Sequence, residues 1–127
     1  MKLGYVILFV GDVRKTIEFW EKAFGLKRKM IVESEAYGEL DTGATTLGFA
    51  QQAFLRDQLP FRAAGAGEPP PPYEVALVTD DVEGAQAQAL KAGATLVQKP
   101  TKKPWGQVVA HVRDLDGNLV ELCTPMG

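Results

Sequence analysis

Apolar positions in this chain follow two rhythms, and the rhythms alternate in the same order twice. Residues 4–10, Gly-Tyr-Val-Ile-Leu-Phe-Val, form an unbroken β-prone run. That is the pattern of a strand covered on both faces. Asp12 follows as a candidate N-cap. Val13, Ile17, Trp20 and Phe24 then recur at helical spacing, with Arg14, Lys15, Glu18, Glu21 and Lys22 on the other side. Gly25 stands where a left-handed residue closes a helix. Strand-like stretches follow near 27–34, 36–41 and 45–51, with breaks at Ser34 and Thr42-Gly43.

The second half repeats the series. Tyr73–Thr79 reads as a strand, Asp80-Asp81 as a cap, and Val82, Ala85, Ala89 and Ala92 as a smaller helical face ended by Gly93. Strands follow near 94–98, 107–113 and 118–124. Asp114-Leu115-Asp116-Gly117 is the turn between the last two. Asp12-Val13 aligns with Asp81-Val82 at an offset of 69, which also pairs Tyr5 with Glu74. The closing strands align at 73, setting Gly48 against Glu121. Two copies of one βαβββ unit follow: a first module over about 1–52, a linker over about 53–72 and a second module over about 73–127. The linker ends in four consecutive prolines, Pro69–Pro72, which favour an extended connector.

Composition narrows the function classes. At 127 residues the chain has the length of one domain. A net charge of −2 leaves no basic surplus to draw it onto nucleic acid or an anionic membrane. The single cysteine, Cys123, excludes an intrachain disulfide and a multi-cysteine zinc site, and fits a reducing, cytoplasmic setting. The apolar run Tyr5–Val10 is too short for a membrane span.

The doubled βαβββ order resembles the vicinal oxygen chelate superfamily, which includes glyoxalase I, extradiol dioxygenases and the fosfomycin and bleomycin resistance proteins. Val10-Gly11-Asp12-Val13 before the helix, Phe24-Gly25-Leu26 after it, and the closing Arg113-Asp114-Leu115-Asp116-Gly117-Asn118-Leu119-Val120-Glu121-Leu122 carry the resemblance. It implies an α+β fold, two βαβββ modules forming a curved mixed β-sheet around a cavity. It also implies a homodimer in which modules of two chains complete each cavity. The superfamily's metal enzymes place ligands at four strand positions, which fall here on Tyr5, Gly48, Glu74 and Glu121. Only Glu121 matches the usual residue. Glu74 replaces a histidine, Tyr5 is a poor ligand and Gly48 offers no side chain, so neither a metal nor another cofactor is expected.

Strand alternation assigns the remaining cavity chemistry. Val108, Ala110 and Val112 make the uniformly apolar side of their strand, which leaves Gln107, Val109, His111 and Arg113 toward the cavity. Glu74, Glu121 and His111 are the expected acid/base set. Tyr5, Ile7, Phe9, Gly48, Trp105, Gln107 and Val109 are the expected ligand-binding wall. Three classes compete: a metal-free lyase or isomerase acting on a small molecule, a non-catalytic binding protein of the bleomycin-resistance type, and a metal-dependent glyoxalase or dioxygenase. Trp20 and Phe24 are expected in the core, or at a subunit interface.

Overall fold

A computed structural model describes residues 1–126. The chain runs β1 (Tyr5–Val10), α1 (Val13–Phe24), β2 (Lys27–Ile31), β3 (Tyr37–Asp41), β4 (Thr46–Gln51), α2 (Gln52–Leu55), β5 (Val75–Val78), α3 (Val82–Lys91), β6 (Thr95–Lys102), β7 (Val108–Arg113) and β8 (Leu119–Cys123). The α+β class and the doubled βαβββ order expected above are both present. The strands form two four-stranded mixed sheets, ordered β1-β4-β3-β2 and β5-β8-β7-β6. In each, the module's first and last strands pair in parallel and the other pairs are antiparallel. The short α2 lies in a stretch read from the sequence as linker.

Local signals explain the elements. The Asp12 side chain accepts from the Lys15 N–H at 3.0 Å, and Gly25 closes α1 at φ 68° with its N–H on the Glu21 carbonyl. Asp81 caps α3 by accepting from the Gly84 N–H at 2.9 Å. Helix α1 buries Val13, Thr16, Ile17, Phe19, Trp20 and Ala23, and α3 buries Val82, Gln86 and Ala89. Each helix covers its own sheet, and the two helices pack on each other. One hydrophobic core therefore joins Leu8, Ile17, Trp20 and Phe49 of the first module to Ala89, Val112 and Val120 of the second.

Trp20 is fully buried and Phe24 packs half-buried against this core, so this stripe is core within the chain. The opposite sheet faces are left open. Tyr5 is 58% exposed, Ile7 43% and Val78 66%. Among the described residues no helix is long and apolar enough to cross a membrane.

The turn Asp114–Gly117 joins the modules. Asp114 is buried and accepts from the Trp20 indole N–H at 3.1 Å, the Asn118 backbone N–H at 2.8 Å and the Asp116 N–H at 3.0 Å. Asp116 accepts from the Gly11 N–H and the Thr16 hydroxyl, both at 2.9 Å. Both carboxylates thus bind donors of the first module.

Candidate functional site

Three of the expected site residues meet on the open face of the second sheet. In β8, Val120 and Leu122 turn toward the core, so Glu121 turns away from it. Its direct neighbour on β7 is His111, whose neighbour on β6 is Gln98. Glu74 precedes β5, the strand on the other side of β8. His111 Nε2 lies 3.3 Å from a Glu74 carboxyl oxygen and 3.5 Å from a Glu121 oxygen. The Gln98 amide oxygen lies 3.0 Å from Nδ1, the arrangement for an N–H donated to it. With Nδ1 held by Gln98, Nε2 turns toward the two carboxyl groups.

Burial gives the cluster its electrostatics. The Glu121 carboxyl is held above its ordinary range, first by burial and then by the neighbouring Glu74 carboxyl. The Cys123 thiol, two residues along the strand, is also raised, first by burial and then by the neighbouring Glu121 carboxyl. Behind the site, the buried Gln86 amide donates to the Gln98 carbonyl at 2.7 Å and the His111 carbonyl at 3.3 Å. This fixes β6 and β7 at the level of the imidazole.

Gln86 and Gln98 were not singled out from the sequence. The signal for Gln86 was its place four residues after Val82 and three before Ala89, on the buried face of α3. Gln98 carried no such signal, because its aim follows from the register irregularities that flank it in β6.

The rest of the expected wall is divided between other places. Val109 is buried opposite Cys123. Gln107 donates to the Thr124 carbonyl at 2.8 Å and accepts from the Trp105 indole at 3.0 Å, so these two side chains brace the β6–β7 hairpin. Arg113 does not reach Glu121: its guanidinium donates to the Gly117, Gly65 and Ala66 carbonyls. Ile7 and Phe9 line a separate cavity under the linker.

Gly48 is buried on the open face of the first sheet, and the Tyr37 hydroxyl fills the space beside it. A Cβ at position 48 would lie 2.5 Å from that oxygen. The hydroxyl donates to Glu39 at 2.8 Å, and burial with this bond pushes the phenol pKa up. Tyr5 lies close enough to Tyr37 to add to that rise.

The four-position metal set therefore does not fit this chain. One position has no side chain, and a phenol engaged with Glu39 occupies its space. A smaller donor set lies wholly in the second module: one atom each from Glu74, His111 and Glu121, all within 4.8 Å of one another. An imidazole nitrogen and two carboxylate oxygens are donors a divalent ion accepts.

The model of the Glyoxalase/Bleomycin resistance protein/Dioxygenase superfamily matches residues 2–122. The uncharacterized protein YraH of Bacillus subtilis is 27% identical over 124 residues, covering 96% of this chain and 97% of that one. A lactoylglutathione lyase of Arabidopsis thaliana is 30% identical over 123 residues, 93% of this chain but 42% of the plant enzyme, so this chain spans less than half its length. Among solved structures, a glyoxalase-related enzyme from Fulvimarina pelagi superposes with a TM-score of 0.83 at 17% identity, covering 98% of this chain and 88% of that one. TioX from Micromonospora sp. ML1 superposes with a TM-score of 0.71 at 25% identity, covering 98% of both chains.

Proposed function

The chain belongs to the Glyoxalase/Bleomycin resistance protein/Dioxygenase superfamily, and from that premise we propose that it binds a small carbonyl compound on the open face of the second sheet and moves a proton on it without a metal. The observation that carries this reading is the position of His111 Nε2 between Glu74 and Glu121, at 3.3 and 3.5 Å. Glu121, whose hold on a proton is strengthened by burial, acts as the acid. Glu74 is the more exposed carboxylate and acts as the base.

In the forward step Glu74 takes the proton from the carbon beside the carbonyl, and Glu121 gives its proton to the carbonyl oxygen. The product is the enol. Glu74 then returns its proton to the former carbonyl carbon while Glu121 takes the proton of the neighbouring hydroxyl, which becomes the new carbonyl. Both carboxyl groups end as they began, and His111 Nε2, beside both, orients them. Lyase and isomerase chemistry share this step.

Incubation in deuterium oxide with a panel of small α-hydroxy ketones and hemithioacetals, followed by proton NMR, tests the reading. At least one compound should lose its α-proton signal. Glu121→Gln and Glu74→Gln should each slow that loss by about 100-fold. Exchange that ignores both substitutions, or a stoichiometric first-row metal that disappears in Glu121→Gln, defeats the proposal.

A second reading is a non-catalytic binding protein. The apolar surface of Ile7 and Val78, exposed on the open sheet faces, favours it. A compound retained on the protein without any exchange would select it.

A further inference from the structure

We propose that the linker of residues 61–73 and the outer face of β1 form a separate binding site for a planar, largely apolar aromatic molecule. The inference is independent of the proton-transfer reading, since none of the acid/base residues lines this cavity. The cavity measures about 920 Å³ and is lined by Ile7 and Phe9 of β1 and by Phe61 and the prolines Pro69–Pro72 of the linker. Its volume suits a drug-sized organic molecule, for which pockets run about 300–1,000 Å³.

The linker is held over β1 rather than merely passing it. The Phe61 ring meets Phe9 edge-on, with centroids 5.0 Å apart and planes at 75°. The Arg56 guanidinium sits 5.8 Å from the Phe61 centroid and steadies that ring from its own side of the linker. Farther along, Arg113 donates to the Gly65 carbonyl at 2.8 Å and the Ala66 carbonyl at 3.2 Å. These two attachments bring the following prolines back to line the cavity.

The chemistry of the walls selects the ligand. Proline has no N–H and a fixed φ, so four in a row give a stiff wall of ring carbons without backbone donors. Two phenyl rings set edge to face favour a third flat ring, which can present its own edge or face to them. Arg62, Glu68 and Asn118 supply the polar part of the lining. Polar groups of the ligand therefore belong beside these three residues and its ring system against the phenyl rings and prolines. A plain connector would need neither the aromatic pair nor the Arg113 attachment.

Fluorescence titration of the full chain with N-phenyl-1-naphthylamine, an uncharged flat aromatic probe, tests the site. Binding should saturate at one probe per chain with a blue-shifted emission. Phe61→Ala should raise Kd by about tenfold or more. Arg113→Gln, which frees the linker without altering the cavity wall, should also raise it. Leu96→Ser, which removes an exposed apolar side chain elsewhere, should leave it unchanged. Should Phe61→Ala lose its cooperative melt, Phe61→Leu, which keeps bulk and removes the aromatic edge, takes its place. No saturation, an equal loss in Leu96→Ser, or binding that ignores both the Phe61 and the Arg113 substitutions overturns the proposal.

Discussion

Gly48 illustrates how one missing side chain reorganises a face. The Tyr37 hydroxyl lies where a Cβ would stand, and that position lets it reach Glu39. Gly48→Ala must displace the phenol and weaken the bond to Glu39. A loss of about 1–3 kcal/mol is expected from denaturant unfolding, the usual cost of overpacking. Tyr37→Phe in the same background should recover part of it, and failure to do so would separate the cost from the hydroxyl. Glu121 poses the opposite problem, an ionisable group kept where burial opposes its charged form. Its raised pKa means that the folded chain binds more protons there than the unfolded chain. The stability it contributes is present below the ordinary carboxylate range and is lost as pH rises through Glu121's own range. Asp114, also raised by burial, acts in the same direction in both proteins and cancels in a comparison with Glu121→Gln. Thermal melts from about pH 4 to about pH 8 should therefore fall less steeply with pH in Glu121→Gln. A variant destabilised by about 3–5 kcal/mol would instead mark Glu121 as one half of a structural ion pair.

At the scale of elements, the turn between β7 and β8 does more than reverse the chain. Asp114 accepts four hydrogen bonds from buried or half-buried donors, one of them from the Trp20 indole of α1. Asp114→Ala removes the acceptor and leaves that indole N–H unpaired in the core. Unfolding should become easier by about 1–3 kcal/mol, and the Trp20 emission should shift. Asp114→Asn retains an acceptor oxygen and should cost less. A change within about 0.5 kcal/mol for Asp114→Ala would refute the role of the turn as the tie between modules. The helices were legible because their caps and periodicities are local: Asp12, Gly25 and Asp81 sit where the pattern requires them. Helix α2 was not, since four residues give too few turns for a period to register.

At the scale of the molecule, the helices share one core and the opposite sheet faces remain open to solvent. Tyr5, Ile7 and Val78 are large apolar or aromatic groups left uncovered there. We propose that a second copy covers Tyr5 and Val78 in a homodimer; light scattering over a dilution series should then report twice the chain mass at micromolar concentration. A monomer at that concentration rules out an obligate dimer. The sequence by itself determined the two βαβββ units, the boundaries of most elements and the parity of β7 and β8. Those features follow from side-chain period, capping and turn chemistry, which act over a few residues. Parity was enough to put Glu121 and His111 on one face. Tertiary structure decided the rest, because pairing register and loop paths depend on residues far apart in the chain. It aimed Gln98 at the imidazole and turned Arg113 away from Glu121 to the linker carbonyls. It set the Tyr37 hydroxyl into the space beside Gly48 and carried Ile7 and Phe9 away from the acid/base cluster to a cavity under the prolines.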